Sequence, residues 1–394
     1  MKNKRISNVW LLLIFTYIFF NFAYTSFFPF ETMYLTHLGY KSSDVAVLSM
    51  TTAVGNFLFQ FVVSRLLRRQ KKLGDVMMIF MGLSIPLAFL LLIFHKTFFS
   101  VILFVFPVTL FDFSCIGLLD SVAVALIREH HEIEYSITRV FGSLAGVLSS
   151  FLAGHLYSYV GIEWMFVIHG AVQFLTLFTV IILKKRYAST GTSDKKEKEE
   201  SSFDEKYVLL KRYFPLIIGG TMIFLGWRAI FVYLPIMIEN LGGTSADFGN
   251  AMAIINGSSM VVMFVFPFFR KKLGLEAMLI IGSIAMALRW FLTALAPSLG
   301  VIIMVQALDS FGFGFTQPAM VEIISKSASE QDRGGLITIW TGTQMAFGTI
   351  MANIVVQLVS SFAGLQLSFM ALSIISIVGL LLVVISGGGS IVPH

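Results

Sequence analysis

Twelve stretches of about twenty or more mostly apolar residues run through this chain, and they leave little choice of fold. They cover approximately 9–36, 44–66, 73–95, 98–126, 137–158, 163–183, 213–239, 246–269, 275–296, 299–325, 335–361 and 365–386. Hydrocarbon offers no water to backbone N–H and C=O groups, so each stretch has to satisfy its own, and an α-helix does this within one segment. Composition agrees: 57% of residues are hydrophobic and 13% charged, against about 25% charged in a soluble domain. The first stretch is too long for a cleavable signal, and no small-residue cleavage site follows it. It reads as a first membrane span.

The chain also repeats itself. Lys71-Lys72-Leu73-Gly74 recurs as Lys271-Lys272-Leu273-Gly274, and Gly82 answers to Gly282 in the same register. Phe141-Gly142 answers to Thr341-Gly342. Upstream the register slips by three residues, and Leu38-Gly39, Ser42 and Asp44 match Leu241-Gly242, Ser245 and Asp247. A string of matches with one slip indicates an internal duplication. The expected fold is therefore an all-α membrane protein, with twelve transmembrane helices in two pseudo-symmetric six-helix bundles. The bundles fall at 1–186 and 213–386. The polar stretch 187–212 between them, with Asp194-Lys195-Lys196-Glu197-Lys198-Glu199-Glu200, reads as a solvated linker. Residues 387–394 read as a flexible Gly-Ser tail of the kind added at cloning.

Lys and Arg set the orientation. Lys41 and Lys96 lie in the first and third loops, and Arg228 and Arg289 lie inside spans. Every other Lys and Arg falls on the opposite side, which the positive-inside rule makes cytoplasmic. Both termini and the linker are expected there, in a multi-pass protein of the plasma membrane. This asymmetry accounts for the net charge of +6 without nucleic acid as a partner.

Ionisable residues inside spans are costly, so they face a cavity or a partner. Glu31 follows Pro29 in span 1. Asp112 and Asp120 lie in span 4, His169 in span 6, Arg228 in span 7, Arg289 in span 9 and Asp309 in span 10. Arg139 and Glu322 sit near the ends of spans 5 and 10. The plainer alternatives stay open. Asp120, Arg139 and Glu322 can reach water by snorkelling, His169 can be a packing residue between helices, and Arg289 with Asp309 can be a structural ion pair. As a functional set these groups line a polar cavity. There a carboxylate takes up a proton when it is buried alone and gives it up when a guanidinium approaches. The pair Asp309 and Arg289 suits this, and so does Asp112 or Glu31 with Arg228. Trp227 beside Arg228 and Trp290 beside Arg289 could face a sugar or aromatic ring, or simply fill space. Gly312, Gly314 and Pro318 in span 10, and Gly142, Gly146 and Gly154 in span 5, permit close packing and bending.

Soluble-enzyme chemistry is missing from the sequence. No Gly-rich phosphate loop ending in Lys-Ser/Thr and no His-Glu-x-x-His site occurs. His130-His131 lies in a charged loop. The lone Cys115 cannot form an internal disulfide and reads as a small buried apolar residue. The expectation is a non-enzyme without cofactor or metal, acting as a monomer in the lipid bilayer on a small-molecule substrate and protons.

Twelve spans in two similar halves with charged 2–3 and 8–9 loops resemble the major facilitator superfamily. Within it, the chain is similar to the lactose-permease-like and phenylpropionate-type proton symporters. The likeness is carried by Asn8-Val9-Trp10 through Phe27-Phe28-Pro29-Phe30, then Lys41-Ser42-Ser43-Asp44, by Leu118-Leu119-Asp120-Ser121 with Arg139-Val140-Phe141-Gly142-Ser143, and by Glu330-Gln331-Asp332-Arg333-Gly334. The resemblance implies that Asp120 and Arg139 hold substrate and that Arg289 takes part in proton coupling. The chain departs from the family in having Asp309 where a His is usual and Asn256 where a Glu is usual. In the 2–3 loop it has Arg68 for Asp and Ser64 for Gly.

The expected function is proton-coupled symport of a saccharide or aromatic acid by alternating access. Asp309, Arg289, Asp112 and Glu31 would serve coupling. Asp120, Arg139, Arg228, Asn256, Trp227 and Trp290 would serve substrate. One alternative is a proton-coupled exporter of drugs or metabolites, with Glu31 and Asp112 attracting lipophilic cations. Another is a non-transporting membrane sensor, for which no output domain is visible.

Overall fold

The computed structural model describes residues 8–68, 73–94, 97–129, 135–187, 203–327 and 333–387. Lys71-Lys72, His130-His131, the acidic-basic run of the linker, Glu330-Gln331-Asp332 and residues 388–394 of the Gly-Ser tail lie outside them. All regular structure among the described residues is helical. In chain order the helices are α1 (Asn8–Phe27), α2 (Glu31–His37), α3 (Ser42–Arg68), α4 (Leu73–Ile93), α5 (Phe98–Glu129), α6 (Tyr135–Val160), α7 (Trp164–Tyr187) and α8 (Phe203–Ile223). They continue as α9 (Leu225–Asn240), α10 (Ser245–Leu273), α11 (Leu275–Leu295), α12 (Leu299–Val305), α13 (Asp309–Ser327), α14 (Arg333–Met345), α15 (Phe347–Ala363) and α16 (Leu365–Gly387).

Among the described residues, twelve helical segments are long and apolar enough to cross a membrane, from Asn8–His37 to Leu365–Ile385, and each overlaps one of the twelve expected stretches. Four spans are interrupted. Phe28-Pro29-Phe30 is a 3-10 turn between α1 and α2, with the proline at its start, where a missing N–H costs least. Gln306–Leu308 is a second 3-10 turn, between α12 and α13. Single residues, Phe224 and Ala346, separate α8 from α9 and α14 from α15. Residues 203–212, read from sequence as part of the linker, are helical and continuous with α8, and the membrane-crossing stretch there is Tyr213–Asn240.

The duplication is visible in local geometry. Gly39 and Gly242 both take positive φ, 86° and 76°, a region that admits glycine without strain. Three residues into the following helix, Asp44 accepts from the Lys41 N–H at 3.0 Å and Asp247 from the Thr244 N–H at 2.8 Å. Both carboxylates thus satisfy an orphan donor at a helix start. The Leu-Gly echo downstream behaves differently: Leu73 and Gly74 lie in α4, whereas Leu273 closes α10 and Gly274 turns the chain at φ 78°.

The chain forms two compact units. The first comprises described residues within 1–192 together with Gly242–Asn256, and the second those within 193–241 and 257–394. The sequence halves differ from these units at the first part of α10. That part joins the first unit because Gly154 on α6 and Gly249 on α10 meet backbone to backbone. A Cβ at Gly154 would lie 2.7 Å from Gly249 Cα. The first unit is cored by Trp10, Tyr17, Phe80, Met81 and Leu119, and the second by Phe224, Met286, Phe315, Met320 and Trp340. Phe99, Phe264, Phe362 and Ile385 point outward and are largely exposed. Apolar surface of that kind is matched by lipid rather than water.

Candidate functional site

Among the described residues, three polar constellations inside the spans hold most of the expected charged residues, and each is built by helices that are otherwise apolar.

The first lies in the second unit. Arg289 on α11 and Asp309 at the start of α13 form an ion pair, with side-chain exposures of 0% and 1%. The 3-10 turn before Asp309 places the carboxylate in the first turn of a new helix, whose free N–H groups favour negative charge. Ser259 on α10 donates to Asp309 Oδ2 at 2.6 Å. Gln306 Oε1 accepts from both Arg289 Nε, at 2.9 Å, and Nη2, at 2.7 Å. The guanidinium also sits 4.5 Å from the Trp290 ring centroid. This group is closed to solvent and well satisfied, as a buried ion pair has to be.

The second lies in the first unit. Ser84 on α4 donates to Asp112 Oδ1 on α5 at 2.8 Å, and Gln173 Nε2 on α7 donates to the same oxygen at 3.1 Å. His169 Nε2, also on α7, lies 3.2 Å from Asp112 Oδ2. The other ring nitrogen, Nδ1, is 3.2 Å from the Ala23 carbonyl on α1.

The third is also in the first unit and is open to solvent. Arg139 Nη1 on α6 donates to both oxygens of Asp120 on α5, at 2.8 and 2.9 Å. Tyr17 on α1 donates to Asp120 Oδ1 at 2.6 Å. Asn21, one turn along α1, lies against Gly142 and donates to the Tyr17 carbonyl at 2.9 Å. Side-chain exposures of 47% for Arg139 and 31% for Asp120 leave the pair within reach of a solute. The charges balance, and hydroxyl, amide, carboxylate and guanidinium groups offer donors beside acceptors.

The remaining expected residues are placed as follows. Arg228 on α9 donates to Thr349 on α15 at 2.9 Å, and the same two helices are joined by Tyr233 donating to Asn353 at 2.8 Å. Trp227 stacks on Phe313 with 4.7 Å between centroids and is half-buried. Trp290 is fully buried and packs against Gly226. Glu31 opens α2, half-buried, and makes no ion pair among the described residues. Asn256 is half-buried on α10. Glu322 takes an ion pair from Arg270 and another from Lys326 at 3.3 Å, close to the end of α13.

Sequence reasoning missed several of the groups that complete these constellations. Tyr17, Asn21 and Thr25 form a polar stripe at helical spacing on α1, a signal that was available. Gln306 precedes Asp309 by three residues and so shares its face. Ser84, Gln173 and Ser259 carry no such sign, because single polar residues are common in membrane helices.

Known proteins resemble the chain in fold. It superposes on a point mutant of the nucleoside transporter NupG with TM-score 0.81 at 13% identity, over 96% of this chain and 100% of that one. A bacterial homologue of the human lysosomal transporter Spinster, in an inward-facing and unoccupied conformation, gives TM-score 0.72 at 13% identity, over 99% and 98%. A POT family transporter in complex with 5-aminolevulinic acid gives 0.72 at 14%, over 95% of each chain. In sequence, the chain is 25% identical over 115 residues to the quinolone resistance protein NorA of Staphylococcus aureus (strain N315), spanning 29% of this chain and only 30% of that relative. The protein is thus a multi-pass membrane transporter of the major facilitator type and not an enzyme. The family model of the MFS_1 like family matches residues 10–371, nearly the whole chain, and the chain belongs to that family.

Proposed function

We propose that the protein is a proton-coupled symporter of the plasma membrane, with both termini cytoplasmic, that imports a small polar solute by alternating access as a monomer. The observation that carries the reading is the Asp309 carboxylate at a 3-10 break, shared between Arg289 and the Ser259 hydroxyl. A carboxylate facing a guanidinium gives up its proton, and one buried alone keeps it. Bending at Gln306–Leu308 would separate the pair, so protonation and conformation become one equilibrium. Substrate binds at the open set of Asn21, Asp120 and Arg139, with Tyr17 buried behind Asp120 and holding its carboxylate. A charge-balanced set with mixed donors and acceptors favours a saccharide over an aromatic acid.

Vesicles containing purified protein and a pH-sensitive dye test this. Sugars and aromatic acids are added outside, one at a time, with no initial pH gradient. Internal acidification with one solute, lost in Asp309→Asn, is the expected result; uphill transport unimpaired in that variant overturns the assignment of Asp309.

The partial match to NorA favours a second reading, export of lipophilic compounds. Its signature is proton-driven movement of ethidium in the same vesicles, with no response to any sugar.

A further inference from the structure

We propose that Asp112 and His169 form a second proton-binding site, within the first unit, which holds one proton between Asp112 Oδ2 and His169 Nε2 and exchanges it with solvent as the transporter changes conformation. The inference uses the proposed function only in taking the chain to be a transporter that alternates between conformations.

Hydrogen-bond roles lead to it. The Ala23 carbonyl can only accept, so the His169 nitrogen facing it, Nδ1, carries a hydrogen. A neutral imidazole has only one N–H, and Nε2 is then a bare lone pair. That lone pair would face Asp112 Oδ2 across 3.2 Å. Two acceptors at that distance in a dry interior repel, so a proton lies between them, carried on Nε2 as imidazolium facing carboxylate. In that form the dyad shares one exchangeable proton and is neutral overall. The neighbours fit the charged form. Ser84 and Gln173 both donate to Oδ1, and the Ser84 oxygen lies 3.4 Å from Nε2, free to accept from it. Release hands the proton to solvent water and leaves the dyad with one negative charge.

Among the described side chains, no other charge lies against the dyad. α1 carries no charged residue, and its Tyr17 donates to Asp120. On α4 the one charged residue is Asp75, paired with Lys184 at the far end of α7; Lys185 and Arg186 follow there. On α5, Asp120 is held by Arg139 of α6, Arg128 and Glu129 close the helix, and Cys115 is a buried thiol one turn from Asp112. On α6, Tyr157 donates to the Ser26 carbonyl and His155 faces its own backbone. Asp44, Arg65 and Arg68 lie at the ends of α3, and Glu31 and His37 on α2 beyond the break. Side-chain exposures of 4% for Asp112 and 1% for His169 mean that exchange needs the helices to move. Gln173 Oε1, buried and without a hydrogen-bond partner, is an acceptor beside the dyad for water that enters when they do.

The test follows His169 itself by 15N NMR. Full-length protein labelled at its histidines is placed in nanodiscs and titrated from acidic to alkaline pH. Its seven histidines are assigned by loss of a signal in His169→Gln, or by replacing the other six one at a time if that variant does not fold. The expected result is an Nδ1 that stays protonated throughout and an Nε2 that moves from the protonated to the unprotonated position as pH rises. In Asp112→Asn the side-chain amide donates to Nε2 permanently, and the Nε2 signal stays at the unprotonated position. An Nε2 unchanged across the whole range in the wild type overturns the proposal, since a merely structural pair never meets solvent. So does a wild-type titration that persists in Asp112→Asn, since the imidazole would then titrate alone. Failure of the Asp309 assignment is distinguishable: it appears in the vesicles and leaves the His169 titration unchanged.

Discussion

Arg289 and Asp309 come from different helices of the second unit, and their ion pair is sealed from solvent on both sides. Desolvation of two such charges is offset only while both are present, so removing one strands the other. Arg289→Met or Asp309→Leu alone should cost about 3–5 kcal/mol of stability. The double variant, with two apolar side chains in place of the pair, should recover most of that loss. Thermal unfolding in detergent measures both. By contrast the Asp75–Lys184 pair is about one-third exposed on each side, and Asp75→Asn should change stability by only about 0–1 kcal/mol. Equal losses from Asp75→Asn and Asp309→Leu would contradict the role assigned to burial.

The crossing of α6 and α10 predicts a sharp difference between two glycines of one helix face. A methyl group at Gly154 would lie 2.5 Å from the Ser245 carbonyl oxygen and 2.7 Å from Gly249 Cα, both backbone atoms that cannot swing aside. At Gly146 it would meet only the Thr25 side chain, at 3.4 Å. Gly154→Ala should therefore cost about 1–3 kcal/mol, as overpacking does, whereas Gly146→Ala should be nearly neutral. Unfolding midpoints of the two variants, compared side by side, decide it.

The spans and the duplication were legible because they rest on properties every residue contributes to. Hydrocarbon demands long apolar helices, and a repeated turn demands glycine at Gly39 and Gly242 alike. Charged residues in spans were legible for the same reason, and their pairing was partly so: Arg289 with Asp309 was among the expected couples. The helical state of residues 203–212 was not, since polar sequence there becomes helical by continuing into a span. The interruptions at Phe224 and Ala346 were also invisible, because no proline stands at either residue to mark them. Nor could sequence choose a partner for Asp112. Its partners Ser84, His169 and Gln173 come from α4 and α7, and nothing in one sequence says which faces of those helices meet α5.

The partly exposed constellation of the first unit, proposed to bind substrate, lets recognition be tested apart from stability. Tyr17 donates to Asp120 at 2.6 Å, but Arg139 holds the same carboxylate through two further bonds. Tyr17→Phe removes one donor and leaves the ion pair. Stability should fall by about 0.5–1.5 kcal/mol, the ordinary net worth of one hydrogen bond. If Tyr17 also positions Asp120 for the solute, half-saturation should rise by about tenfold, the equivalent of 1.4 kcal/mol, with the maximal rate little changed. Arg139→Lys is a stricter probe. An ammonium lacks the planar fork of a guanidinium, so it cannot reproduce the geometry that presents Asp120 to a solute. That variant should fold, keep its charge balance and lose most uptake. Uptake at the wild-type level in both variants, measured with the solute that acidifies the vesicles, would remove this constellation from the substrate path and leave Arg228 with Thr349 as the place to look next.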